Sequence, residues 1–258
     1  MYHGGDIVLQ QDTMRQAFVK RFPDVNFTLI IDYSKYHDDF PRWAQQGKLL
    51  QYKPANFSQV YDGFRDQRGA YMAYMAITFS YLYDDTSLGG LPAPMSVADL
   101  VDPRWAGKIA STYPHDDDAA LFIDAVTAKG KVVGIGTYSQ GTPNVTFVAD
   151  GDNDYLSWGQ RIAILKKAKH PAAAKLFTNW AISEEVKKTV VAENVRVDLA
   201  PNSGSNHPWE IPTANVDEFP KFMADREAVE AWKQTFSLYF GEVQVEATPG
   251  YLGVHPGL

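Results

Sequence analysis

Met14, Ala17, Phe18 and Phe22 recur at the spacing of one helix face, with Asp12 placed to cap the helix and Pro23 to end it. Val25–Asp32 then reads as a strand rich in Val, Phe and Ile. Tyr2–Asp6 reads as the end of a strand running into a glycine turn at Gly4 and Gly5. Asp39–Gly47 predicts a short helix, Lys53-Pro54 a turn, and Asp62–Gly69 a polar loop. Ala70–Tyr83 is almost entirely apolar or aromatic. It fits one long buried strand, or two strands across a domain junction, because Tyr, Thr and Phe favour strand over helix.

The Gly- and Pro-rich Leu88–Met95 is a connection, and Asp102-Pro103-Arg104-Trp105 turns the chain into Gly107–Phe122. That stretch predicts a strand over Lys108–Tyr113, a break at Pro114, and a helix start where Asp116–Asp118 favour the positive end of the dipole. A polar mouth at the carboxyl end of a strand is a common ligand position in α/β folds, and plain helix capping is the competing reading. Lys131–Ile135, Asn144–Ala149 and Leu156–Leu165 read as further strands. Pro171 opens the clearest helix, with Leu176, Phe177, Trp180 and Ala181 as its buried face. Phe219–Phe240 reads as one helix with Phe222, Val229, Trp232, Phe236 and Tyr239 as its packing stripe.

Composition narrows the function classes. A length of 258 residues with 45% hydrophobic content allows one large domain or two small ones. A formal net charge of -7 without a basic block argues against nucleic acid. The absence of cysteine excludes disulfides and a thiol nucleophile. No apolar run reaches membrane-spanning length, and Met1–Asp6 has neither the basic leader nor the apolar core of a signal peptide. Gly134 and Gly136 do not complete a dinucleotide fingerprint, and Asp150–Asp154 lacks the spacing and terminal Glu of a calcium loop. Ser157 stands in Leu-Ser-Trp-Gly, outside a nucleophile elbow. His3, Asp6, His115, Asp116 and Asp118 make a metal site only if folding gathers them.

Several segments together carry a resemblance. They are Tyr2-His3-Gly4-Gly5-Asp6, the segment Asp99–Ile109 with its Asp-Pro-x-Trp-x-Gly-Lys pattern, Tyr113–Asp118, Tyr155–Gln160, and Lys169–Leu176. The set resembles bacterial-type extracellular solute-binding proteins, and most closely the ferric-iron-type ABC transporter group with its divergent fungal relatives. The resemblance implies a periplasmic-binding-protein-like type II α/β fold, with two lobes and a ligand cleft between them. It places the first lobe in residues 1–82, the second in 83–192, and a return segment with C-terminal helices and tail in 193–258. Against relatives the chain starts inside the first strand and runs short at Tyr36–Phe40 and Lys129–Lys131, so the resemblance implies reduced lobes. The adjacent tyrosine pair that grips ferric iron in relatives has no counterpart, and Tyr138 stands alone near that region.

The expected ligand-binding residues are His3, Gly4, Gly5 and Asp6 from one lobe and His115, Asp116 and Asp117 from the other. Tyr138, Ser157 and Trp158 are expected in an outer shell. The expected function is capture of a small polar or cationic ligand, as in ABC-type uptake, without catalysis and without a cofactor beyond a possible bound metal ion. The resemblance implies a monomer, an extracytoplasmic location and a membrane permease as partner. The competing readings are a solute-binding-like protein without transport function and a metal-dependent hydrolase, which needs a nucleophile or metal with its supporting groups.

Overall fold

A computed structural model describes residues 2–3, 8–31, 40–80, 82–84, 88, 90–94, 97–106, 136–137, 145–147, 154–202 and 206–241. The chain forms two units, one from Met1–Ala76, Gly159–Asn206 and Val245–Leu258, the other from Ile77–Trp158 and His207–Gln244. The apolar run at 70–83 resolves into two strands, β3 (Met72–Ser80) and β4 (Leu82–Asp84). The passage from the first unit to the second falls inside β3, between Ala76 and Ile77. The return passage falls inside β7 (Leu156–Ile162), between Trp158 and Gly159.

In the first unit, β1 (Tyr2–His3) pairs in parallel with β2 (Ile30–Ile31), Tyr2 opposite Ile30 and His3 opposite Ile31. Helix α1 (Val8–Arg21) connects them. It starts before Asp12, whose carboxylate instead accepts from Arg15 Nε at 2.6 Å and Gln16 Nε2 at 2.5 Å within the helix. Met14 and Phe18 are buried, as their spacing predicts. The Phe18 ring lies 5.5 Å from Phe27, 5.1 Å from Phe177 and 5.2 Å from Trp180. The last two belong to helix α4 (Pro171–Ala181), which follows the short helices α2 (Phe40–Gln45) and α3 (Val97–Leu100) in chain order. Pro171 occupies its first turn as expected, but Leu176 is 36% exposed and Thr178 takes a buried place instead. Ser183 then caps α5 (Glu184–Thr189), its Oγ accepting from the Val186 N–H.

A buried polar network follows. Glu193 Oε1 accepts from the Asn194 and Asn202 backbone N–H groups, each at 2.9 Å. Arg196 donates to both carboxylate oxygens of Asp198, at 2.9 and 2.6 Å, and to the Ile182 carbonyl at 3.1 Å. The Ala76 N–H donates to the Glu193 carbonyl at 3.0 Å, which ties this segment to β3. Such satisfaction is what allows charged side chains to be buried at all.

In the second unit, β4 pairs antiparallel with β6 (Val145–Phe147), and the unit's end of β3 pairs antiparallel with β5 (Gly136–Thr137). Its core gathers Phe79, Leu156, Phe219, Met223, Val229 and Phe236, with Trp158, Phe222 and Trp232 packed against it. The stretch expected as one helix over 219–240 is two, α6 (Glu218–Ala224) and α7 (Arg226–Phe240). Asp225 leaves the helical region at φ -82° and ψ 83°, and its carboxylate caps α7 by accepting from the Ala228 N–H at 3.1 Å. Tyr239, expected in the packing stripe, is 82% exposed. The Asp-Pro-Arg-Trp pattern is a capped turn. Asp102 accepts from the Arg104 N–H at 2.9 Å, Pro103 opens a 3-10 turn, and Trp105 is buried. Arg104 also holds the Asp102 carboxyl down to about 2.

Candidate functional site

Parallel strands deliver their following loops to the same edge, and in α/β folds that edge is where ligands sit. His3 and Ile31 are the last residues of β1 and β2 and stand opposite each other. Residues 4–7 join the carboxyl end of β1 to the start of α1. The burial of Met14 and Phe18, and the Phe18 ring contacts with Phe27, Phe177 and Trp180, fix α1 in this place. His3 is therefore positioned at the carboxyl edge of this strand pair. Gly4, Gly5, Asp6, His115, Asp116, Asp117 and Tyr138 lie outside the described residues.

Ser157 and Trp158 occupy packed positions in the second unit. Ser157 is 0% exposed, and its Oγ lies 2.8 Å from Oγ1 of Thr78 on β3. Trp158 packs against the core cluster, its ring 6.2 Å from that of Phe219. The hydroxyl of Ser157 is satisfied within the sheet, and the bulk of Trp158 is spent on packing.

A crevice in the first unit went unread in the sequence. Leu50, Tyr52, Gly69, Tyr71, Met72 and Ile164 are among its walls. Gly69 sits at φ +80°, where an added Cβ would lie 2.8 Å from Lys53 Cγ and 3.0 Å from the Tyr52 carbonyl oxygen. The polar groups around it are turned to one another. Asn179 donates to the Tyr52 hydroxyl and to the Lys175 carbonyl, and accepts from the Ala55 N–H at 2.8 Å. The Lys175 ammonium lies 5.0 Å from the Tyr52 ring centre, and the Arg161 guanidinium 5.3 Å from that of Tyr71. An apolar crevice whose polar neighbours are already paired lacks the convergent groups of a ligand site. The strand edge at His3 is the better candidate.

Among the described residues no group of three or more His, Asp or Glu could hold a metal ion, and no helix is long and apolar enough to cross a membrane. The Lys187 amine is fully buried and donates to the Tyr74 carbonyl. Burial first, and the nearby Arg196 cation second, push it well below the usual lysine range. It is sealed from solvent in the polar network, so this amine is a structural donor.

A family model described as bacterial extracellular solute-binding protein matches residues 20–137. No curated protein matches the chain. Solved structures match over nearly their whole length. Iron-bound HitA from Pseudomonas aeruginosa superposes with a TM-score of 0.59 at 16% identity, over 91% of this chain and 98% of that one. The periplasmic binding protein AfuA from Actinobacillus pleuropneumoniae, with fructose-6-phosphate bound, gives 0.63 at 15% identity, over 92% and 98%. The ferric binding protein from Campylobacter jejuni gives 0.61 at 10% identity, over 91% and 98%. The chain has the periplasmic-binding-protein-like fold, type II.

Proposed function

We propose that this chain is a solute-binding protein that captures a small polar or cationic ligand, as ABC-type uptake systems require, and performs no bond chemistry. The observation that carries the reading is the parallel register of β1 and β2, which sets His3 at the edge where residues 4–7 enter α1. In this proposal Gly4 and Gly5 present backbone N–H groups, and Asp6 meets a cation, hydroxyl or amine. His115, Asp116 and Asp117 are the further proposed contacts. Two structural neighbours hold ligands of opposite charge, iron in HitA and the sugar phosphate fructose-6-phosphate in AfuA, which supports ligand capture in general and leaves the sign of the ligand's charge to the carboxylates proposed here. The reading implies an extracytoplasmic compartment and a membrane permease as partner.

Calorimetry of the full chain tests this against ferric and divalent metal ions, polyamine and thiamine-like cations, and sugar phosphates. The expected result is saturable binding of a cation or neutral polar ligand, weakened at least about tenfold by Asp6→Ala or by Asp116→Ala with Asp117→Ala. Binding confined to anions and unchanged by those substitutions overturns the cation reading. No binding by a folded sample overturns solute capture itself and leaves a solute-binding-like fold without transport function.

A further inference from the structure

Two cation-bearing stretches of this acidic chain, among others without Asp or Glu, meet in the fold. Residues 40–61 carry Arg42, Lys48 and Lys53, and residues 159–183 carry Arg161, Lys166, Lys167, Lys169 and Lys175. Folding brings them together on the first unit. Leu49 and Leu165 form an antiparallel bridge, the Leu50 N–H donates to the Ile164 carbonyl at 2.7 Å, and the Lys166 N–H donates to the Lys48 carbonyl at 2.8 Å. Lys48 and Lys166 are therefore direct cross-strand neighbours, an arrangement that costs stability for like charges. Lys48, Lys166, Lys167 and Lys169 are exposed, and among the described residues none of them is in an ion pair. Elsewhere Lys188, Lys221 and Lys233 each face a glutamate. Within the basic face Leu165 is 51% exposed, and Leu176 on α4 is 36% exposed.

We infer that this face docks on the surface of an anionic phospholipid bilayer. Of the six exposed cations in the two stretches, Arg42, Lys48, Lys53, Lys166, Lys167 and Lys169, five are lysine. Protein interfaces are depleted in lysine and favour arginine, whose planar fork suits fixed bidentate contacts. Lysine on a flexible stem suits a diffuse layer of anionic headgroups, to which each contributes about fivefold in partitioning. The exposed Leu165 supplies the apolar contact that a headgroup boundary accepts. This inference does not depend on the proposed ligand or its site.

Co-sedimentation of the full chain with vesicles tests it, comparing phosphatidylglycerol mixed with phosphatidylcholine against phosphatidylcholine alone. Binding is expected only with the anionic lipid and falls as salt rises. Lys166→Ala with Lys167→Ala should weaken it by about twentyfold or more, at two lysines of about fivefold each. Leu165→Ser should weaken it further, with unchanged far-UV circular dichroism throughout. Absence of binding to anionic vesicles overturns the inference, as does binding that the lysine substitutions leave unchanged. Equal binding to a soluble polyanion such as heparin, with Leu165→Ser silent, also overturns it in favour of a non-lipid anionic partner.

Discussion

The Ser157 Oγ and Thr78 Oγ1 atoms lie 2.8 Å apart on β7 and β3, with Ser157 0% exposed. One hydroxyl donates to the other, Ser157 in a place closed to water and Thr78 half-buried beside it. Ser157→Ala should therefore cost about 1 kcal/mol of stability, because the Thr78 hydroxyl loses its partner. Ligand affinity should not change. Adding Thr78→Val should restore part of the loss, and a denaturant titration of the cycle measures the coupling. A tenfold loss of affinity with stability intact would return Ser157 to the binding surface.

Lys187 gives a pH dependence with a definite sign. Its folded-state value lies well below the ordinary 10.5 because burial favours the neutral amine. The unfolded chain binds the extra proton between those two values, so folded stability should rise with pH across that window. Lys187→Met should remove this share of the rise while filling the same apolar slot. Urea midpoints measured for both proteins from neutral pH to about 10 should diverge most at the neutral end. Parallel curves would mean that Lys187 is charged in the folded state.

Arg196 is 5% exposed and holds Asp198 through two hydrogen bonds of 2.9 and 2.6 Å. Asp198→Ala would leave a buried guanidinium with the Ile182 carbonyl as its remaining side-chain contact. The side chain of Asp198 is 36% exposed, so the loss is discounted from the fully buried case to roughly 2 kcal/mol. Arg196 also holds the Asp198 carboxyl below its usual range, so this contribution should fade as pH falls through the lowered value. Thermal melts of the wild type and Asp198→Ala should converge in acid.

Gly159 passes close to two neighbours in the first unit. An added Cβ would lie 2.6 Å from the Ala73 Cβ and 2.8 Å from the Phe64 ring. Gly159→Ala should cost about 1–3 kcal/mol through overpacking, with unchanged secondary structure. A neutral melting temperature would show that β7 and Phe64 can move apart.

The sequence by itself determined the elements whose causes are local. Pro171 and the apolar positions that follow it specify α4, because helix bonds and side-chain stripes join residues only a few positions apart. Met14 and Phe18 were legible as a buried face for the same reason. The place of His3 opposite Ile31 was not legible, since parallel pairing joins residues 28 positions apart. Tertiary structure alone decided what the polar side chains do. Ser157 meets a partner 79 positions away, and Lys187 one 113 positions away. Asn179 reaches Tyr52 across 127 positions, and the two cation-bearing stretches form one basic face only when Leu49 meets Leu165. A polar residue reads alike in sequence whether water or a distant backbone satisfies it, and chain folding alone supplies that partner.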